Sequence, residues 1–142
     1  PRHYARLRRR NARLEHNVRK ALPYAKIAAS EIEKIDRLLA TARSEGERRR
    51  VVKEEYAALM RRFKQPLTRL TVTQGKILVR LIYRETDNSA FDHIRQYKGA
   101  FNAYFWQSVA LLFGNNLKAD YDPLGRDREI EEIVRAIERE NK

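Results

Sequence analysis

FNAYFWQSVALLFGNNLKADYDP (Phe101–Pro123) is the part of the chain on which the predicted architecture depends, because it gathers the aromatic residues. Seven of the thirteen aromatic residues lie in or next to it: Tyr97, Phe101, Tyr104, Phe105, Trp106, Phe113 and Tyr121. The longest apolar run, Val109–Phe113, follows the only tryptophan, and Gly114 then ends the helical pattern. A helix that is apolar on nearly all sides is buried among other helices. The sequence therefore predicts a central buried helix over Phe101–Phe113, with Phe105 and Trp106 in the core.

Upstream, two stretches have apolar residues at alternating spacings of three and four, the pattern of a helix that packs along a partner. Between Arg2 and Ala42 these residues are Leu7, Leu14, Val18, Ala21, Ala25, Ala28, Ile32, Ile35 and Leu39. In the second stretch they are Val52, Tyr56, Leu59 and Phe63, and the pattern ends near Gln65-Pro66. The short link holds Ser44 and Glu47 at the spacing of a capping box. We therefore predict a long antiparallel helical hairpin.

Pro23 lies inside the first of these two stretches. A proline in a helix removes one backbone hydrogen bond and disturbs the preceding turn. We therefore expect the first helix to be kinked or split near Ala21–Leu22.

The segment that follows the hairpin is ambiguous by composition. Its residues KILVRLIY have high β-propensity, which would allow a strand. Their apolar spacing does not alternate with period two, however, so we favour a helix, with Thr71 or Thr73 as its N-cap. A short helix over Ala90–Tyr97, capped by Ser89, is expected next. Near the end of the chain, Asp127 is expected to cap a last amphipathic helix.

Together these elements predict one all-α domain over residues 1–142, with five or six helices. The long antiparallel hairpin would pack on the central aromatic helix. Composition agrees with a folded domain, since the 142 residues are 42% hydrophobic and no apolar run approaches the roughly 20 residues that span a bilayer. The absence of cysteine excludes disulfides and thiolate chemistry.

Positive charge is concentrated at the start of the chain, where eight Arg and Lys residues accompany a single acid, Glu15, within residues 2–20. The whole chain has a net charge of +12, which attracts polyanions in general. Binding of a polyanion requires such clustered charge, and we predict a polyanion-binding site at the following residues: Arg6, Arg8, Arg9, Arg10 and Arg13. Two other interpretations stay open: the charge only solvates a helix, or truncation has exposed a helix that is normally covered.

Other candidate sites lack a specific motif. Four residues after the aromatic helix could offer oxygen ligands to Ca²⁺: Asn115, Asn116, Asp120 and Asp122. The register of a calcium loop is missing, so we predict no metal and no cofactor. His93 with Asp92 or Glu85 could form a general-base pair, but neighbours in sequence do not define catalytic geometry. No phosphate-binding loop, nucleophile elbow or zinc motif is present, and we assign no catalytic residue.

Four segments together resemble a domain-of-unknown-function family of Bacteroidota: LPYAKIAA (Leu22–Ala29), LTVTQGKILVRLIYRET (Leu70–Thr86), FWQSVALLFGNNLKADYDP (Phe105–Pro123) and Asp127 with EEIV (Glu131–Val134). The resemblance covers nearly the whole chain. It implies an exported protein of the periplasm or cell envelope, in which the leader and a further segment precede Pro1. It supplies no activity, cofactor or catalytic residue.

The sequence alone does not define a function. The favoured class is a structural or interaction module of the bacterial cell envelope, with a protein or an anionic surface component as partner. The alternative is binding of nucleic acid or another polyanion through the Arg-rich helix. Nucleic acid is not favoured, because base-reading features are not identifiable. An enzyme comes third.

Overall fold

The computed structural model describes residues 2–97 and 120–141 and, within them, all side chains except those of residues 2–10, 91 and 94. The described residues form helices joined by turns: α1 Arg2–Ala40, α2 Glu45–Thr68, α3 Val72–Glu85, α4 Ser89–Gln96 and α5 Arg128–Glu140. The all-α prediction is confirmed for this part of the chain. The aromatic helix predicted over Phe101–Phe113, and with it the total number of helices, lies outside the described residues. Within the described ranges, no helix combines the length and apolar character that a membrane span requires.

α1 is a single helix, although Pro23 lies in its middle. The prediction that it splits near Ala21–Leu22 is therefore wrong. Pro23 lies on the exposed side of α1, whereas Ala21 and Ala25 are buried. Water can therefore hydrate the carbonyl group of Arg19, which lacks a backbone donor because of the proline. Burial of the neighbouring side chains then holds the helix together across this position.

The link between α1 and α2 is closed by side-chain hydrogen bonds. Ser44 is the N-cap of α2, and its hydroxyl accepts a hydrogen bond from the backbone N–H of Glu47 at 3.1 Å. The Glu47 carboxylate accepts in return from the backbone N–H of Arg43 at 3.0 Å, one residue before the N-cap. The predicted cap at Ser44 is confirmed. The Glu47 carboxylate, however, accepts from the N–H of Arg43 and not from that of Ser44, as it would in a capping box.

α1 and α2 run in opposite directions. Glu31 of α1 pairs with Arg62 of α2, while Lys34, further along α1, pairs with Glu55, which comes earlier in α2. The two helices therefore form an antiparallel pair, as the sequence predicts.

α2 continues through Pro66 to Thr68, beyond the predicted end near Gln65-Pro66. The proline removes only the bond back to Arg62, so the last turn can still form. The Thr68 hydroxyl donates to the backbone carbonyl of Gln65 at 2.6 Å and satisfies one acceptor at the helix end.

α3 is the central helix of the described part, and most of its residues are buried. Thr71 caps it in a full capping box with Gln74, so the helix is confirmed and the strand alternative is wrong. α3 makes its most extensive contacts with α1. The contacts of Asn17 with Gln74 and of Lys26 with Glu85 show that α1 and α3 are parallel.

α1 and α3 each contribute residues to two apolar clusters. The first also includes α2 and α4 and consists of Ile32, Ile35, Val52, Tyr56, Val79, Tyr83, Ala90 and Tyr97. The second also includes α5 and consists of Val18, Ala21, Leu22, Ala25, Ile77, Leu78, Leu81, Val134 and Ile137. Small residues of α1 face α3 in the second cluster, which allows the two backbones to approach closely.

The turn between α3 and α4 holds two consecutive residues in the left-handed region, Asp87 with φ 51° and Asn88 with φ 67°. Asp and Asn tolerate this region better than other residues with a side chain. Asn88 is the N-cap of α4, so the predicted cap at Ser89 is wrong. The Ser89 hydroxyl instead donates to Asp36 of α1 at 3.3 Å, and the Asn88 carboxamide accepts from the backbone N–H of Tyr121 at 3.0 Å.

The exposed position of Pro23 in α1 yields a first prediction. In Pro23→Ala the missing backbone hydrogen bond is restored, and we expect the free energy of unfolding to rise by about 2 kcal/mol. Urea denaturation followed by circular dichroism measures this change. The control is Pro66→Ala, which lies in the last turn of α2 and should bring a smaller gain. A Pro23→Ala variant that is less stable than the wild type would contradict the prediction.

Candidate functional site

α1 carries a row of basic residues with the same three-four spacing as its core residues. We call this row the basic stripe; it consists of Arg2, Arg6, Arg9, Arg13, His16 and Lys20. Residues three and four apart lie on the same face of a helix. Because α1 is continuous from Arg2, the six positions line up along one side over about 27 Å, at a rise of about 1.5 Å per residue.

The five predicted polyanion-binding residues occupy different sides of α1. Arg6, Arg9 and Arg13 are on the basic stripe. Arg10 lies beside the stripe, four residues after Arg6 and three before Arg13. Arg8 is turned by about 100° from Arg9, away from the stripe. The sequence prediction grouped these residues by proximity in the chain and missed Arg2, His16 and Lys20, which the three-four spacing would have identified.

The part of the stripe with described side chains is open to solvent. Arg13, His16 and Lys20 are all exposed. Among the described residues, no carboxylate lies within ion-pair distance of any of them. This end of the stripe therefore presents positive charge that no described acid compensates.

Glu15, the only acid of residues 2–20, lies away from the stripe. Its carboxylate pairs with Arg19 at 3.0 Å, and Arg19 also pairs with Glu140 of α5 at 2.9 Å. The hydrogen bonds to Glu140 and Glu15 raise the pKa of Arg19, and the bond from Arg19 lowers the pKa of Glu140. The side of α1 that faces α5 is thus charge-compensated, whereas the stripe is not.

A partly buried network centred on Arg84 and Glu131 joins α3 to α5. Arg84 Nε donates to Glu131 Oε1 at 2.7 Å, the Tyr121 hydroxyl donates to the same oxygen at 3.0 Å, and Arg135 donates to Oε2 at 2.9 Å. The hydrogen bond from Arg84 is the main cause that lowers the pKa of Glu131 to about 2. Arg135 and Tyr121 act in the same direction, while burial opposes them. This network is structural, because each carboxylate oxygen already has its donors.

Among the residues that the structure describes, the most deeply buried ion pair joins Arg80 of α3 to Asp127 at the start of α5, with side-chain exposures of 6% and 4%. The guanidinium donates to both carboxylate oxygens, at 3.2 and 2.8 Å. Arg80 also donates to the backbone carbonyl of Asp120 at 2.8 Å, and Asp127 accepts from the backbone N–H of Asp122 at 2.9 Å. The Asp127 side chain makes no cap bond to α5. Asp127 is the N-cap residue of α5, as predicted, but without a side-chain cap bond, because Arg80 and Asp122 use the carboxylate.

Two of the four candidate calcium ligands belong to the same loop. Asp120 and Asp122 contribute backbone atoms to the contacts with Arg80 and Asp127. The other two candidates, Asn115 and Asn116, lie outside the described residues. Over residues 2–97 and 120–141, no group of three or more His, Asp and Glu side chains is arranged to hold a metal ion.

His93 pairs with neither Asp92 nor Glu85, the two carboxylates considered from the sequence. Its Nε2 atom lies 2.6 Å from a carboxylate oxygen of Asp36, and its Nδ1 atom lies 2.9 Å from the hydroxyl of Tyr56. His93 is only 5% exposed. The imidazole therefore connects three helices, α1, α2 and α4, through a hydrogen-bonded line that is buried at Tyr56 and exposed at Asp36. Sequence neighbours could not reveal this, because the partners lie on other helices.

The fold and the stripe define a helical domain whose distinctive surface chemistry lies on one side of α1. The chain belongs to the family described as "Domain of unknown function (DUF4294)", which it matches over residues 3–136. The matched range includes all five residues of the predicted polyanion site. The resemblance to a domain-of-unknown-function family is thereby confirmed, while its restriction to Bacteroidota stays a prediction. No curated protein and no solved structure matches the chain.

The buried ion pair at Arg80 leads to a prediction on stability. In Arg80→Met the side chain keeps its length, but the carboxylate of Asp127 stays buried without its cation. We expect the free energy of unfolding to fall by about 3–5 kcal/mol in a urea titration. The control is Arg62→Met, which removes an exposed pair with Glu31 and should cost less than about 1 kcal/mol. Equal losses in the two variants would argue against the buried pair.

The lowered pKa of Glu131 predicts how stability depends on pH. Its pKa is about 2 in the folded protein against an ordinary value of 4.5. The carboxylate therefore contributes its full stabilisation above about 4.5, and this is lost as the pH falls towards about 2. Between these values the midpoint of urea unfolding should fall more steeply in the wild type than in Glu131→Gln. Glu132→Gln, at the exposed next position, should keep the wild-type slope. A Glu131→Gln variant with the wild-type slope would refute the assignment.

Proposed function

We propose that the chain is an interaction module of the bacterial cell envelope and that the basic stripe of α1 is its binding element. The observation that carries the proposal is the alignment of six basic positions on one side of a continuous helix. Arg8 and Arg10 add further charge to the same segment. Binding of nucleic acid or another polyanion through this segment is the alternative function.

The physical basis of the proposal is counterion release. A polyanion carries condensed counterions, and each Arg or Lys that neutralises a charge releases them, which drives binding. Charges on one side of a helix can engage one anionic surface together. Glu15 and Arg19 already pair with each other, so this side of α1 would contribute little to polyanion binding. The stripe is therefore the part of α1 that is best suited to this role.

The envelope location rests on the resemblance of four sequence segments to a family of exported proteins, and it is part of the proposal. The proposed architecture likewise keeps the aromatic segment Phe101–Phe113 as a central helix under the hairpin. What supports it is that the residues flanking the segment contact the core: Tyr97 belongs to the first cluster, and Tyr121 packs against it.

A salt titration tests the proposed function. Binding to heparin and to two unrelated DNA duplexes should be electrostatic and independent of DNA sequence, so affinity should fall steeply with salt, by roughly 10³–10⁵ between 50 and 200 mM if six to ten charges engage. The variant Arg8→Gln, Arg9→Gln, Arg10→Gln should bind heparin and duplex DNA more weakly to the same extent, with an unchanged circular dichroism spectrum.

The chain offers a matched control for this triple variant. α2 contains a second arginine triplet, Arg48–Arg50, of which Arg49 and Arg50 are exposed. Changing these three residues to Gln removes the same charge from a different helix and should change affinity much less. Equal losses from the two triplets would mean that only net charge matters, and the Arg-rich start of α1 would then not be the binding element. A preference for one duplex that survives high salt would establish specific nucleic-acid binding instead.

A further inference from the structure

We infer that the anionic surface bound by the stripe is a lipid bilayer with anionic head groups, on which α1 lies flat. This inference rests on the proposed function and names its ligand. Clusters of four to eight Lys and Arg residues on a helix are typical of binding to anionic lipids. The stripe provides five such residues and one histidine along α1.

The one-sided arrangement of the charges fits a flat partner. A plane that touches a helix reaches only the residues on the side that faces it. A flexible polymer can bend around the helix and would use Arg8 as readily as Arg9. In this chain the positions of one side are consistently basic, whereas the acid Glu15 and its partner Arg19 are turned towards α5. The basic positions of this side can therefore all meet one planar partner at the same time.

The core of the protein determines how deep α1 can lie in a bilayer. Its apolar residues Val18, Ala21 and Ala25 are fully buried against α3 and α5 and are not available to lipid. An amphipathic helix that inserts into the interface uses such an apolar face for anchoring. α1 therefore binds through the head groups rather than by insertion.

The line of the stripe continues past Lys20 with the same spacing to Pro23 and Ile27. Both are exposed, and Ile27, at 42% exposure, is one of three large apolar side chains that are exposed among the described residues. An apolar side chain at the end of a basic row can reach the boundary between head groups and acyl chains. Neither heparin nor a nucleic-acid backbone offers an apolar region that this side chain could contact.

Nucleic acid fits the same surface less well. Proteins that bind single strands combine a positively charged groove with aromatic side chains on which the bases stack. Tyr24, four residues after Lys20 on the same side of α1, packs edge-to-face against Phe63 of α2 and does not form a free stacking platform. The charge complementarity of the stripe therefore favours the lipid surface.

The test compares two neighbouring arginines at positions on different sides of α1. Arg9→Gln removes a charge from the stripe, and Arg8→Gln removes one from beside it, about 100° around the helix. Cosedimentation with vesicles made of equal parts phosphatidylcholine and phosphatidylglycerol measures binding, with pure phosphatidylcholine vesicles as the blank. We expect Arg9→Gln to weaken vesicle binding roughly fivefold, whereas Arg8→Gln leaves it within experimental error. Both variants should weaken heparin binding equally, because heparin can wrap around the helix.

Ile27→Ser provides a second measurement that does not alter charge. It should weaken vesicle binding and leave heparin binding unchanged. Circular dichroism spectra that match the wild type establish that each variant is folded.

Three other outcomes would overturn flat docking, the lipid ligand or the proposed function. Equal losses on vesicles for Arg8→Gln and Arg9→Gln would overturn flat docking. Heparin binding without vesicle binding would overturn the lipid assignment while the proposed function stands. Binding to neither heparin nor vesicles would refute both.

Discussion

The buried ion pair between Arg80 and Asp127 is the constraint on which the described structure depends. α3 is buried along most of its length, so a guanidinium in its middle needs an opposite charge from elsewhere in the chain. Asp127 supplies it, and the chain from Asp120 onwards must therefore return to α3. One helical turn further along both elements, Arg84 pairs with Glu131. The two pairs are separated by four residues on each helix, and together they fix the register of α5 against α3.

The features that could be predicted from the sequence are those that depend on spacing within one helix. The three-four spacing of apolar residues in α1 and α2 is a local signal, and so are the caps at Ser44 and Thr71. Each of them was sufficient to predict its helix or its helix start. The features that could not be predicted depend on partners that are distant in the chain. Asp127 has the residue type and position of an N-cap, but Arg80 uses its carboxylate. His93 lies next to Asp92 in sequence, but its partners belong to α1 and α2.

Pro23 shows a different limit of local reasoning. The energetic cost of a proline in a helix is real, but it can be outweighed when the neighbouring side chains are buried on the opposite side. The continuity of α1 matters for one end of the candidate site. The stripe itself lies before Pro23, so its positions share one side of α1 whether or not the helix continues beyond the proline. The line from Lys20 to Ile27 crosses Pro23 and exists only because the helix is unbroken there.

α1 carries two rows with one period, the core row that contacts α3 and the basic stripe on another side. This arrangement limits which changes of length the helix tolerates. An insertion of one residue after Lys20 would turn everything before it by about 100°, so that Val18 would leave its cluster and the stripe would point in a new direction. An insertion of seven residues would restore the direction of both rows, since two turns of a helix take about seven residues, but it would move Val18 by about 10 Å along the helix axis and out of its cluster. Changes in the length of α1 should therefore be confined to its ends.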